Sequence, residues 1–207
     1  MSTLKTTALR HPSSGSDNIV LNSSGGVVVG GVSSSGGGNT IQEILTRPCD
    51  GGTVTSANGT ITFQNVTAVQ NLTTTYVDVT GSVITYQPPA GTHTVIYRFC
   101  WMIAEADADP ISHYKFFIGG TEVVYARHTH RADNYQNRAI FEWPIKIGGS
   151  ADANTGAIAS WSSAIELKMQ AREYTSAYET YIHTTDHWDG SGTDMFSMPT
   201  LTLTAIG

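Results

Sequence analysis

The chain has 207 residues, of which 40% are hydrophobic and only 14% charged, well below the ~25% charge of an ordinary soluble domain. The net charge of −6 and the scatter of the few basic residues argue against nucleic acid as a partner, because phosphate binding needs a basic patch. No run approaches ~18 apolar residues, so no membrane insertion is expected, and the opening MSTLKTTALRHPSSG lacks the apolar stretch of an export signal.

Two cysteines, Cys49 and Cys100, cannot build a disulfide framework. Cys100 reads as a small buried hydrophobe, and the chain reads as made in a reducing cytoplasm without export of its own.

Residues 1–40 differ from everything after them. They are rich in Gly and Ser, hold no aromatic residue, and have Asp17 as their only acid. Two apolar tokens interrupt the polar run, Ile19-Val20-Leu21 and Val27-Val28-Val29. Neither can build a core alone, because ordering the flanking glycines costs more than so few apolar groups return. Against a disordered tail, the favoured reading is an extended anchoring arm whose two short strands add to a partner's sheet. Ser33 to Asn39 reads as its hinge, and the domain proper occupies residues 41–207.

Within that domain the pattern is strands and turns. Ile41–Leu45 is a short lead-in that ends before Pro48. Asn58-Gly59 is a hairpin signal and opens the strand Thr60–Asn65. Val66–Gln70 and Thr75–Thr80 alternate weakly, and Val83–Tyr86 is stopped by Pro88-Pro89-Ala90-Gly91. The run His93–Ala104, HTVIYRFCWMIA, is too β-branched and aromatic for a helix and is the central strand. One of its faces carries Val95, Tyr97, Phe99, Trp101 and Ile103, and the other Ile96, Arg98, Cys100 and Met102. A sandwich strand needs only one buried face, so the second wants a cover, a loop or another copy of the chain.

After an acidic loop at 105–110, His113–Ile118 is expected to turn at Gly119-Gly120 into a hairpin with Thr121–His128. Arg138–Ile147 alternates, and Pro144 places it at an edge or a bulge. Ala164–Tyr174 alternates strictly, with Ala177–His183 as its expected hairpin mate. Pro199–Ile206 closes the chain as a buried strand. About eight to ten strands with Gly, Pro and Asn turns and no convincing helix predict an all-β protein, a jelly-roll β-sandwich behind the Gly/Ser-rich arm.

Chemistry-bearing constellations are few. The polar stretch His183–Asp194 holds Asp186, His187 and Asp189, residue types that ligate cations, but the spacing fits no metal signature and a solvated loop is favoured. His128 and His130 share a strand face and can bridge a metal between chains, with an ordinary hairpin end as the favoured alternative. Asp107 and Asp109 read as a solvated pair. No nucleophile elbow, zinc-protease helix or phosphate loop is present, so neither catalysis nor a cofactor nor a resident metal is expected. Trp161, Tyr178, Tyr181 and Trp188 lie late in the chain; as exposed loop aromatics they would stack on sugar rings, and otherwise they pack the core.

The segment STLKTTALRHPSSGSDNIVLNSSGGVVV resembles the amino-terminal arms of virion structural proteins from tailed phages of marine cyanobacteria and related marine bacteria. HYKFFIGG, WPIKIGG and PTLTLTAI are similar to the carboxy-terminal domains of such proteins, so the resemblance covers most of the chain in two pieces. It implies a component of a virion assembled in the host cytoplasm. The resemblance does not imply which component; the favoured reading is a head decoration or fibre protein bound through its arm to capsid or tail proteins, and the alternative is a tail fibre or receptor-binding module that recognises host surface glycans.

Separately, ITYQPPAGTHTVIYRF resembles the proline-turn and aromatic-strand passage of trimeric jelly rolls of the tumour-necrosis-factor and C1q type. This implies a homotrimer that buries Ile96, Arg98, Cys100 and Met102, with Glu173 or Asp107 as the partner of Arg98 across the axis.

Overall fold

The structure, a computed structural model, describes residues 8–9, 19–21, 27–28, 40–105, 111–131, 136–177, 179–188 and 193–207. The chain divides into two compact units, residues 1–39 and 40–207. In the first, β1 (Ala8–Leu9), β2 (Ile19–Leu21) and β3 (Val27–Val28) form a small antiparallel sheet with β2 in the middle. Val20 stands opposite both Ala8 and Val28. The two apolar tokens thus pair with one another here; Val29 lies outside the described residues.

The second unit runs through β4 (Ile41–Pro48), β5 (Thr53–Ser56), β6 (Gly59–Thr62), β7 (Gln70–Asn71), β8 (Val77–Asp78), β9 (Ile84–Tyr86), β10 (Thr94–Glu105), β11 (Ile111–Ile118), β12 (Thr121–Glu122), β13 (His128–Arg131), β14 (Gln136–Lys146), β15 (Ile165–Glu173), β16 (Thr180–Ile182), β17 (Thr184–Trp188), β18 (Thr193–Phe196) and β19 (Thr200–Ile206). In one sheet β10 pairs with β14 on one edge. Its other edge pairs with β19 along Thr94–Cys100 and with β16 along Ile103–Glu105. β4 lies outside β19, and β7 outside β16. In the other sheet β11 and β15 form the centre, with β12 and β13 beside β11 and β8 and β9 beside β15.

Every named pairing is antiparallel, and the chain changes sheet from β9 to β10, β10 to β11, β13 to β14 and β14 to β15. That alternation between two antiparallel sheets is the jelly-roll arrangement. The β4–β19 ladder is closed at its end by reciprocal backbone hydrogen bonds between Thr40 and Gly207, 2.8 and 2.9 Å.

Alternation puts Val95, Tyr97, Phe99, Trp101 and Ile103 of β10 inside, joined by Phe141, Ile145, Leu201 and Leu203, and faced by Tyr114, Phe116, Leu167 and Met169 of the other sheet. Each large apolar side chain buried this way contributes roughly 1.5–3 kcal/mol before conformational entropy is subtracted. Tyr97 sits 4.8 Å from Phe116 between ring centroids and donates its hydroxyl to the Ser82 carbonyl at 2.7 Å. The Cys49 thiol reaches the Gly81 carbonyl at 3.3 Å, and burial pushes its pKa up to about 12. Gly81 has φ 86°, and a Cβ there would come within 2.9 Å of Val66 Cγ2.

Three expectations are corrected. Ala177–His183 is not the mate of β15, both of whose edges are taken, by β11 and by β8 with β9; residues 180–182 cross instead to pair with β10 and β7. Thr121–His128 does not continue as one hairpin arm. After β12 the chain buries Val123 and Ala126 around a 3₁₀ turn, Val124–Ala126, held by Val124 N–H to Ala153 O and Tyr125 N–H to Asn154 O. The stretch 183–194 is not simply a loop, because β17 and β18 pair within it. Pro144 falls on β14, an edge strand among the described residues, as the missing N–H requires.

Candidate interaction face

The two sheets present different outer faces to solvent. On the β11–β15 sheet, Lys115 and Arg127 both pair with Glu122, Lys168 pairs with Asp78 at 3.1 Å, and the Tyr76 ring lies under Lys115 and Arg172. The Arg127 hydrogen bond and then Lys115 hold the Glu122 carboxyl below its usual range. A face covered by paired charges is a solvated face.

The outer face of the β10 sheet is Ile- and Thr-rich. In register across β14, β10, β19 and β4 stand Pro144, Ile96, Thr204 and Ile44 in one row, and Glu142, Arg98, Thr202 and Thr46 in the next. Ile44 is 54% exposed, Ile41 58% and Ile140 52%. Beyond the end of β19, Met195, Phe196 and Met198 are also exposed, and Met198 lines a small recess with Cys100, Met102 and Arg138.

Ile96, Arg98, Cys100 and Met102 all lie on this face, as period two requires. Ile96 and Met102 are half-buried, Arg98 is exposed and Cys100 nearly buried. Within its own chain Arg98 faces Glu142, with Nε 3.7 Å from Oε2, because β14 sets Glu142 directly opposite. Glu173 belongs to β15 on the other sheet and is buried, and Asp107 lies outside the described residues.

Of the late aromatics, Trp161 and Tyr181 have described side chains, and these sit in different settings. Trp161 is only 8% exposed, donates its indole N–H to Tyr86 O at 3.1 Å and meets the Tyr86 ring edge-on. It is a core residue and does not stack on sugars. Tyr181 is half-buried on β16 with its hydroxyl on Glu179 at 2.7 Å. Tyr178, Asp189, and the side chains of Asp186, His187 and Trp188 lie outside what is described.

His128 and His130 do share a face, but His128 is sandwiched between Tyr114 and Phe141, at 4.9 and 5.4 Å between ring centroids. Burial lowers the pKa of both histidines. Among the described residues no group of three or more His, Cys, Asp or Glu side chains is placed to hold a metal ion.

His183, expected in a polar loop, is instead fully buried. Its φ is 68°, the left-handed region, its ring meets Phe99 edge-on, and neither ring nitrogen has a hydrogen-bond partner of good geometry among the described residues. Burial pulls its pKa down to about 4, a shift the nearby Thr80 carbonyl only partly opposes.

The two sheets and their connections define an all-β protein of the jelly-roll β-sandwich class. No protein-family model matches the chain, and no curated protein sequence matches it. Among solved structures it is similar to a chain in the structure of infectious bursal disease virus, Gx strain, at 12% identity and a TM-score of 0.34. That alignment covers 80% of this chain and 36% of the viral one, so this chain spans just over a third of that protein's length.

Proposed function

We propose that the chain is a virion structural protein. Residues 1–40 attach it to capsid or tail proteins, and residues 41–207 project as a trimeric jelly roll whose subunits meet through the outer face of the β10 sheet. It serves as a head decoration or fibre protein, working by binding without turnover. The observation that carries the reading is the contrast between the two outer faces: paired charges predominate on one, while the other exposes Ile41, Ile44 and Ile140 around the Arg98–Glu142 pair. Exposed isoleucines at both edges of one sheet face suit burial against a partner that spans the face, and the resemblances in the arm and in the passage leading into β10 supply the setting. Three arms on one trimer attach at high effective concentration, so weak single contacts add to stable anchoring.

The test has two parts. In sedimentation the full chain is a trimer, and I44E/I140E, altering two exposed residues, is a folded monomer; a wild-type monomer overturns the assembly. Mass spectrometry and immunogold labelling of purified particles find the protein on head or tail; particles without it overturn the virion reading.

A second reading, recognition of host glycans, is favoured by one observation. A recess of about 420 Å³ near β6 and β9 is lined by hydroxyl and amide residues, among them Asn58, Thr60, Thr85 and Gln87, together with the apolar Ile61 and Val83, and by no charged residue; that mixed neutral lining suits an uncharged sugar, which has polar edges and an apolar ring face. Glycan-array binding by the full chain that disappears in T60V/T85V supports it.

A further inference from the structure

Apart from Lys146 at the end of β14, the charge on the Ile- and Thr-rich outer face is gathered in one spot. Arg98 of β10 and Arg138 of β14 line the same recess, of about 190 Å³, with Cys100, Thr200 and Thr202. Arg138 stands opposite Met102 but bends back to donate from Nε to Cys100 Sγ at 2.9 Å. Among the described residues Arg98 has only Glu142 as an ion-pair partner, at 3.7 Å, beyond good hydrogen-bond distance. On the other side β19 sets Thr202 opposite Arg98 and Thr200 opposite Cys100. Glu142 is the one carboxylate in ion-pairing range of these guanidiniums among the described residues. The spot therefore holds one positive charge in excess on a chain of net charge −6.

Two like charges converging on one recess repel, and an anion between them reverses the sign of that interaction. Each guanidinium is a planar fork of N–H donors that matches a carboxylate, phosphate or sulfate group. The bond to Cys100 uses only Nε of Arg138, leaving the donors at its two Nη atoms.

We propose that this recess is an oxyanion site in which Arg98 and Arg138 clamp a carboxylate, phosphate or sulfate group flanked by the hydroxyls of Thr200 and Thr202. The site stands on its own geometry; its burial rests on the trimer reading. When the face closes against a second copy, an uncompensated charge is strongly unfavourable, so the anion becomes a condition of closure. Its two sources are a free inorganic oxyanion and a side-chain carboxylate of the neighbouring copy.

The full chain is titrated with sodium phosphate and with sodium sulfate against sodium chloride at matched ionic strength. Thermal melting and calorimetry are read alongside sedimentation. A saturable rise in melting temperature that R138Q or R98Q weakens by roughly tenfold or more, and that E142Q tightens by removing the competing carboxylate, assigns a free oxyanion. No such rise, together with a trimer that R138Q dissociates while R138K partly retains it, assigns the partner's carboxylate. Binding and oligomeric state both indifferent to R98Q and R138Q, in variants with unchanged circular dichroism, overturn the site. A monomer that binds phosphate through Arg138 keeps the site and overturns the trimer, so the two readings fail separately.

Discussion

His183 makes the stability of this domain depend on acid in a calculable way. Its imidazole is fully buried with no hydrogen-bond partner of good geometry on either nitrogen among the described residues, and burial lowers its pKa from 6.5 to about 4. In the unfolded chain the ring binds a proton as pH falls through 6.5, whereas in the folded chain it does not until about 4. The unfolded state binds more protons across that window, so folding stability falls as pH falls. At 1.36 kcal/mol per pH unit the loss from this one residue is about 3 kcal/mol, complete below about pH 4. Asparagine tolerates the left-handed backbone and does not titrate, so His183→Asn is the control. Urea unfolding of both full-length proteins between about pH 7.5 and 4 reads the stability gap between them. Carboxylates such as Asp50, Glu122 and Asp152, all held low by hydrogen bonds, titrate in both proteins and cancel. The gap shifts by about 3 kcal/mol, against the wild type at low pH. A gap that stays constant with pH would refute the reasoning.

Phe116→Ala removes a ring packed 4.8 Å from Tyr97 and 5.2 Å from Phe141; it lowers unfolding free energy by about 3–5 kcal/mol in urea. Tyr97→Phe leaves the Ser82 carbonyl, now at 2.7 Å from the hydroxyl, without that donor; the cost is about 1–3 kcal/mol, seen as a lower melting temperature. Gly81→Ala forces a side chain onto a φ of 86° and against Val66 and Pro199; calorimetry should show a loss of more than about 1 kcal/mol.

Much of the sandwich was legible because its strands are long and alternate. The inward set of β10, Val95 to Ile103, and that of β15, Leu167, Met169 and Ala171, fall inside as period two demands. Partner choice was not legible. Whether residues 180–182 pair with β15 or cross to β10 depends on which edges remain open, a property of the finished sheets. The same holds for Arg98, whose neighbour Glu142 is set by the β10–β14 register. The outer-face residues of β10 were readable from alternation alone, but Arg138 and the threonines of β19 join them only through pairing. Trp161 and His183 mislead because a residue's letters do not reveal burial: an indole can satisfy its N–H on a backbone carbonyl inside the core, and His183 sits in a stretch whose composition reads as solvated.

The reciprocal bonds between Thr40 and Gly207 turn the second unit into something close to a closed ring. Partners in such a ladder stand roughly 5 Å apart, a gap that a linker of two or three residues spans. Residues 40–207 can then be rejoined end to end and reopened elsewhere, at the exposed Gly119-Gly120 turn or at Gly149, to give a circular permutant with the same sheets. For the same reason the unit suits insertion into a surface loop of an unrelated host, because it enters and leaves at one point and asks the host chain to move its own ends hardly at all.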